Sequence, residues 1–518
     1  MENNQEKRKW TLMFFFASDN NLSPSMLYQL KSIKSAGYQP DTNVLVHFDP
    51  HERGIPSMIF EINRLERMGQ TNPQFGDEPN PTVRDLASDR VRPPITNDEC
   101  NCGDSGDSSD YDNLSAEDAL RHFLTFAQER YPADKYMLFL VGHGMVVGRD
   151  AFLPDDNPNS GITLVDLGRI LRDFSQEIGE RNEVLELVGL HSCSMSAVEV
   201  AYQLKGKASY MMGAEGLSFI GAWPYRQMLQ KIFWTINYAT GGVVNVPDLM
   251  NELHDLCLHN GADFIFAGYS SDLCLCSLEL KRVDALSKPI EELTQALQAG
   301  LNDGGRDLIL LAHWESQSYF QEVYTDLYDF CLCLKERCID FEKNQLQNTM
   351  KEACESVMAV LETGTKGPIV QADFFGPDCQ YSHGLSIYFP WTRPVEDARE
   401  HFSKNYQAYA FVTEMCGASW FQFLDDYFEK TKRPKRNIVI SPDYQEELKF
   451  AESMFRPIAF RGGPAQYPVA ALTGKDNPAD AGGEFSYSFI KNYSREFAIT
   501  ERALKVFANG KGPKQEKK

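Results

Sequence analysis

Five short apolar runs, each stopping at a small or polar residue, constrain this chain more than any other feature. They cover residues 10–17, 42–48, 136–142, 184–190 and 209–214. Runs this short, with no polar alternation, predict strands buried on both faces. Helical patterns lie between them, at residues 25–36, 116–130, 163–178 and 196–204. Ser115 followed by Glu117 and Asp118 is a capping box that opens the second of these helices. Strand, helix and strand in succession predict an α/β domain with a mainly parallel sheet. Such sheets bind ligands at the carboxyl ends of their strands. His143, Cys193 and Glu215 each stand at the end of one of these runs.

The remaining chain is less regular. Residues 59–65 are a further candidate strand. Residues 70–113 are rich in Pro, Asn, Asp, Gly and Ser and predict a long acidic surface insertion. Residues 150–161 predict a loop carrying Asp150, Asp155 and Asp156. Residues 225–258 and 283–300 predict mostly helix, 264–269, 273–278 and 385–389 predict strands, and 323–343 predicts a long helix. Three regions result: 1–240, a mixed helix and strand region at 241–430, and an extension at 431–518 that ends in a polar tail.

Charge narrows the function. The 518 residues carry 51 Lys and Arg against 73 Asp and Glu, a net charge of −22. So acidic a surface repels nucleic acid unless a local basic patch compensates, and none is evident. No run reaches the roughly 18 apolar residues that span a membrane. The polar, charged opening lacks a signal-peptide core, so the expected location is cytoplasmic. The cysteine pairs Cys100/Cys102, Cys274/Cys276 and Cys331/Cys333 are all C-x-C, a spacing poor for zinc. Most cysteines are therefore expected to be free, buried thiols.

Cys193 stands apart. It follows a buried strand in Gly189-Leu190-His191-Ser192-Cys193, with a helix predicted just after it. A helix N-terminus there would favour the reactive thiolate. His143 lies 50 residues upstream at another strand end, followed by Gly144. Two strand ends of a parallel sheet can bring a thiol and an imidazole together. The backbone N–H groups of Gly144 and Cys193 would then suit an oxyanion hole. A nucleotide-binding reading is disfavoured, because the first strand leads into Ala17-Ser18-Asp19-Asn20 and not into a glycine-rich loop.

Several stretches resemble the clostripain family of cysteine peptidases, which belongs with caspases, legumains, gingipains and separases. They are Trp10-Thr11-Leu12-Met13 with Ala17-Ser18-Asp19-Asn20-Asn21-Leu22, and Tyr131-Pro132-Ala133-Asp134-Lys135-Tyr136 leading to His143-Gly144. Cys193-Ser194-Met195-Ser196 with Glu199 and Tyr202, and Gly221-Ala222-Trp223-Pro224-Tyr225, continue the match. Gly384-Leu385-Ser386-Ile387-Tyr388-Phe389-Pro390 and Trp420-Phe421-Gln422-Phe423-Leu424 complete it, over roughly residues 10–428.

The resemblance implies a caspase-like α/β/α fold and peptide-bond hydrolysis, with Cys193 as nucleophile and His143 as acid and base. The expected partner is a protein or peptide substrate. Some relatives are cut in a loop after the histidine, here residues 148–161 with Arg149. Activation by processing or by a partner protein, in a regulatory, defence or cell-death role, is what the clan suggests. A catalytically silent caspase-like scaffold is the alternative. No metal is needed for this chemistry. Some relatives need calcium, and Asp155-Asp156-Asn157 offers oxygen donors, although an acidic surface turn accounts for the same residues.

Members that cut after Arg or Lys carry an acid two positions before the nucleophile, where this chain has His191. Residues i and i+2 of a strand share a face, so His191 is expected to face the substrate pocket. Glu215 would be a compensating acid, and Trp223 would line an apolar subsite. The expected preference is non-basic or relaxed.

Overall fold

The computed structural model describes residues 7–431, apart from 52–56, 64–89, 92–113, 145–151, 157–158, 240–241, 267–271, 320–322, 340–343, 365, 392–405 and 416. The acidic insertion lies outside the described residues except at 90–91. So do Arg149, Asn157 and all of the C-terminal extension beyond Thr431.

The strands are β1 (Arg8–Phe16), β2 (Thr42–Phe48), β3 (Met58–Glu61), β4 (Arg90–Val91), β5 (Ala133–Val141), β6 (Phe152–Asp156), β7 (Asn159–Ile162), β8 (Val184–His191), β9 (Tyr210–Ala214), β10 (Leu273–Glu279), β11 (Ser318–Tyr319), β12 (Tyr324–Asp326), β13 (Ile369–Phe375) and β14 (Ser386–Tyr388). Nine of them form one sheet in the order β13-β10-β9-β8-β5-β1-β2-β3-β4. Its centre, β2-β1-β5-β8-β9, is parallel. The edge strands β3 and β4 on one side, and β10 and β13 on the other, add antiparallel. The sheet thus continues across residue 240, with two of its strands supplied by the second half of the chain.

Side-chain alternation explains the layers. Trp10, Leu12, Phe14 and Phe16 of β1 join one apolar cluster, and Met13 and Phe15 join the other. Helices α1 (Ser23–Lys34), α5 (Tyr225–Tyr238) and α6 (Val246–Phe266) close the first face through Leu30, Ile232 and Leu253. Helices α2 (Ala116–Arg130), α3 (Leu164–Gly179) and α4 (Val198–Leu204) close the second through Phe123, Ile170 and Val200. The result is an α/β/α sandwich. Each fully buried Leu or Phe contributes about 1.5–3 kcal/mol by leaving water. The stacked Phe14–Phe139 pair, 4.8 Å apart, ties β1 to β5.

The cap expected at Ser115 forms: its Oγ accepts from the Asp118 N–H at 3.2 Å. Thr163 caps α3 in the same way, through the Asp166 N–H at 3.0 Å.

The second half adds α7 (Ser287–Asn302), α8 (Arg306–Glu315), α9 (Leu327–Arg337), α10 (Gln345–Leu361), α11 (Ala410–Glu414) and α12 (Gly417–Thr431). A small antiparallel sheet, β11-β12-β14, accompanies them. Their core residues, among them Leu297, Phe330, Phe389 and Trp420, belong to the same cluster as α2–α4.

Three sequence expectations change. Residues 264–266 are the end of α6 and not the start of a strand, while 267–269 lie outside the described residues. The long helix expected from 323 is preceded by β12, because Asp326 caps α9 by accepting from the Asp329 N–H. The acidic loop after His143 contains a hairpin, β6 paired antiparallel with β7.

Candidate active site

Strand register sets the site. Val141 of β5 lies opposite His191 of β8, and the strands are parallel. His143 and Cys193 each come two residues later, so they leave the sheet at the same level. The Gly142 N–H donates to the His191 carbonyl at 3.3 Å and holds the two exits together. Gly144 then packs directly on the backbone of Cys193. A Cβ at Gly144 would lie 1.8 Å from the Cys193 carbonyl oxygen and 2.7 Å from its nitrogen. Only glycine fits so close an approach.

The chain turns sharply after Cys193. Ser194 has φ of +54°, a left-handed conformation that strains a non-glycine residue by about 1–3 kcal/mol. Backbone bonds hold the turn. The Ser194 N–H donates to Gly216 O at 2.8 Å and the Ser196 N–H to Ala214 O at 2.9 Å. The Ser196 hydroxyl donates to Gly384 O at 2.6 Å, and Ser386 N–H returns a bond to Ser196 O at 3.0 Å. The second half of the chain therefore clamps the turn.

The expected helix effect on Cys193 is corrected. Helix α4 begins only at Val198, and the thiol is buried, with the residue 8% exposed. Burial pushes the thiol up to about 11, and its Sγ accepts from the Ser218 N–H at 3.4 Å. Burial also pushes His143 down to about 4. Both groups are neutral at pH 7. Alkylation of Cys193 by iodoacetamide should therefore rise about tenfold per pH unit between pH 8 and 10, as expected while the reactive thiolate is a minor fraction. A rate already level from pH 5 to 8, measured by mass spectrometry of the Cys193 peptide, would contradict this.

Sequence reasoning missed one residue here. His143 Nε2 is 2.8 Å from Asn21 Oδ1 in the turn after β1. An amide oxygen only accepts, so Nε2 carries the proton and Nδ1 is the basic nitrogen of the neutral ring. Neighbouring Asn20 fixes that turn by donating to Ala17 O at 2.9 Å and Pro154 O at 3.0 Å. The available signal was position: β1 adjoins β5, so the residues after Ala17 leave the sheet beside those after Val141.

The other candidates lie elsewhere than expected. His191 is fully buried, and its ring stacks on Trp223 at 4.7 Å. Its Nδ1 accepts from the Tyr225 hydroxyl at 2.7 Å, and its Nε2 donates to Phe219 O at 2.8 Å. Burial pushes it down to about 3. Trp223 is also fully buried, edge-on to Phe139. Neither ring opens to a pocket. Both sit in the layer closed by α5, because β8 turns His191 toward that face.

Glu215 is fully buried too, with Oε2 accepting from the Gly384 N–H at 2.8 Å. Burial and the neighbouring Asp326 hold its carboxyl well above the usual range. Asp155 is buried in the hairpin, and Asp156 faces His51 at 3.8 Å, while His51 also bonds Asp19 at 2.9 Å. Among the described residues no group of three or more His, Cys, Asp or Glu is arranged to hold a metal. Nor is any described helix long and apolar enough to cross a membrane. The nine described cysteines are free thiols, eight of them buried.

Comparison with known proteins gives the arrangement a context. Residues 14–427 match the profile of the clostripain family, peptidase family C11. Clostripain of Hathewaya histolytica is 23% identical over 82% of this chain and 81% of its own length. A secreted C11 cysteine protease from Bacteroides thetaiotaomicron, iotapain, is 12% identical and covers 79% of this chain and 99% of its own, with a TM-score of 0.50. The structure of such a protease from the same organism in complex with an irreversible peptide inhibitor is 17% identical, covering 81% and 99%, with a TM-score of 0.48. The sandwich is therefore the caspase-like fold of C11 proteases. The chain belongs to the clostripain family and is a cysteine endopeptidase of that family.

Proposed function

We propose that the chain cuts peptide bonds with Cys193 as nucleophile and His143 as general acid and base. The contact of Gly144 with the Cys193 backbone carries this reading, because it joins the two strand exits. In the first step the thiol proton passes to His143 Nδ1 while sulfur bonds to the scissile carbonyl carbon. The N–H groups of Gly144 and Cys193 receive the oxyanion. Collapse breaks the C–N bond, and the leaving amine takes the proton from His143. Water then gives a proton to His143 and attacks the thioester, releasing the acid and restoring the thiol. Protein or peptide is the substrate.

Asn21 holds the tautomer this sequence of steps needs. Asn21→Ala should lower kcat by about 10–100-fold with KM nearly unchanged, the range expected for loss of acid–base positioning. Steady-state kinetics on one peptide tests it, and an unchanged kcat would remove Asn21 from the account.

For the residue before the cut, we propose a non-basic or relaxed preference. His191 and Glu215 are both fully buried, so neither presents an anion to a substrate side chain. Profiling a peptide library should return no strict Arg or Lys selectivity; strong Arg selectivity would refute this.

The buried thiol under Ser218 also supports an activating step, by processing or by a partner, that opens the segment after β9. Labelling with a thiol-reactive peptidyl ketone tests this: an adduct on Cys193 that appears or grows after limited proteolysis supports an activating step, and equal labelling of the untreated protein contradicts it.

A further inference from the structure

We propose that Glu215 is a positioning residue for the nucleophile turn, tying the end of β9 to Gly384. This rests on Cys193 being the nucleophile. It replaces the substrate-facing role expected for Glu215 from sequence.

Glu215 ends β9, and Gly216 beside it receives the Ser194 N–H. The Glu215 carboxyl reaches into the second half of the chain. Its Oε2 accepts from the Gly384 N–H at 2.8 Å and from the Tyr319 hydroxyl at 3.4 Å. Gly384 in turn accepts the Ser196 hydroxyl through its carbonyl. One side chain thus joins both ends of the turn that presents Cys193: Gly216 holds Ser194, and Gly384 holds Ser196.

Asp326 completes the cluster. It is fully buried, and its oxygens accept the Asp329 N–H at 2.7 Å and the His383 N–H at 2.5 Å. The His383 ring lies 3.5 Å from Asp326; burial opposes its charge, but the Asp326 contact outweighs burial and raises its pKa. Glu215 Oε1 is buried with no donor facing it. An acceptor so placed is costly, whereas a protonated oxygen aimed at the Asp326 carboxylate is satisfied. Two adjoining buried carboxyls share a proton for this reason.

The groups facing the pair are known from each neighbouring element. Cys274 and Cys276 come from β10, and Tyr319 from β11. Cys379 and Asp272 stand behind Cys274, and His383 and Asp329 flank Asp326. His383 is the one basic side chain among them. When Glu215 ionises, two buried anions face each other, and their repulsion shifts the carboxyl that holds Gly384, so the Ser194–Ser196 turn loses its clamp even though the Gly384 and Tyr319 donors favour the charged form. Activity is then lost on the alkaline side through kcat.

The test compares wild type, E215Q, E215A and C193A on one peptide across pH 6–10, with thermal melts alongside. E215Q is isosteric and stays uncharged. It should keep kcat at pH 7 within about threefold and lose the alkaline fall of wild type, as expected when the ionising group is gone. E215A should lower kcat by about 30-fold or more with KM within threefold while still melting cooperatively, the pattern of a lost positioning contact. If E215A does not fold, E215Q decides. An unchanged alkaline limb in E215Q, or a loss in E215Q as deep as in E215A, overturns the inference. Loss of activity in C193A with both Glu215 variants like wild type overturns it alone. Retained activity in C193A overturns the nucleophile reading and this inference with it.

Discussion

Gly144→Ala should lower kcat/KM by about 10³-fold or more, since the proposed mechanism would lose both an oxyanion donor and the fit of the strand ends that carry His143 and Cys193. A Cβ there would meet the Cys193 carbonyl oxygen at 1.8 Å. Real contacts of this kind exceed 3 Å, so the backbones must part by more than 1 Å. Nothing in the contact can rotate away, because the facing atoms are backbone. The separation moves His143 from Cys193 and turns the Gly144 N–H off the carbonyl it would hold. Steady-state kinetics against wild type, with a melt to show a folded variant, checks it. A folded G144A enzyme with wild-type kcat would mean that this contact does not shape the reacting centre.

Trp223→Ala should cost about 3–5 kcal/mol of stability, the range for deleting a large buried aromatic. The indole is fully buried, stacked on His191 and edge-on to Phe139. It also covers Gly189 of β8, where a Cβ would lie 3.2 Å from the ring. Its loss opens a cavity under β8, the strand that leads into Cys193. That cost is a large part of the 5–15 kcal/mol that keeps a typical domain folded. Denaturant unfolding is the measurement. If Trp223 lined a substrate pocket instead, W223A would raise KM and leave the unfolding midpoint near that of wild type.

These two predictions mark where the sequence was readable. Strands buried on both faces announce themselves as unbroken apolar runs, so β1, β2, β5, β8 and β9 were legible to within about three residues, and with them the level of His143 and Cys193. Residues 264–266 misled because Phe264-Ile265-Phe266 is a short apolar run, which periodicity alone cannot assign. β13 was not evident because as an edge strand it is only partly buried, with Gln371 and Asp373 among its residues. The hairpin β6–β7 was hidden by Pro154, Asp155, Asp156 and Gly161, all turn-forming residues.

The side chains around the site were legible in type but not in direction. Alternation along β8 predicts that His191 and Cys193 share a side. The chain leaves the strand at His191 and turns at Ser194, so that rule stops applying between them. His191 goes to the core with Tyr225 and Trp223. The partners of His143 and Glu215, namely Asn21, Gly384 and Asp326, are more than 100 residues away in sequence, where no local pattern reports a contact.

The central claim is that Cys193 attacks the scissile bond. Incubating wild type and Cys193→Ala with an unbiased peptide mixture, and identifying new termini by mass spectrometry, tests it most directly. Wild type, opened by limited proteolysis where needed, should generate cuts and a thioester-trapped Cys193, and C193A should generate none. The same cuts at the same rate from purified C193A would contradict the account.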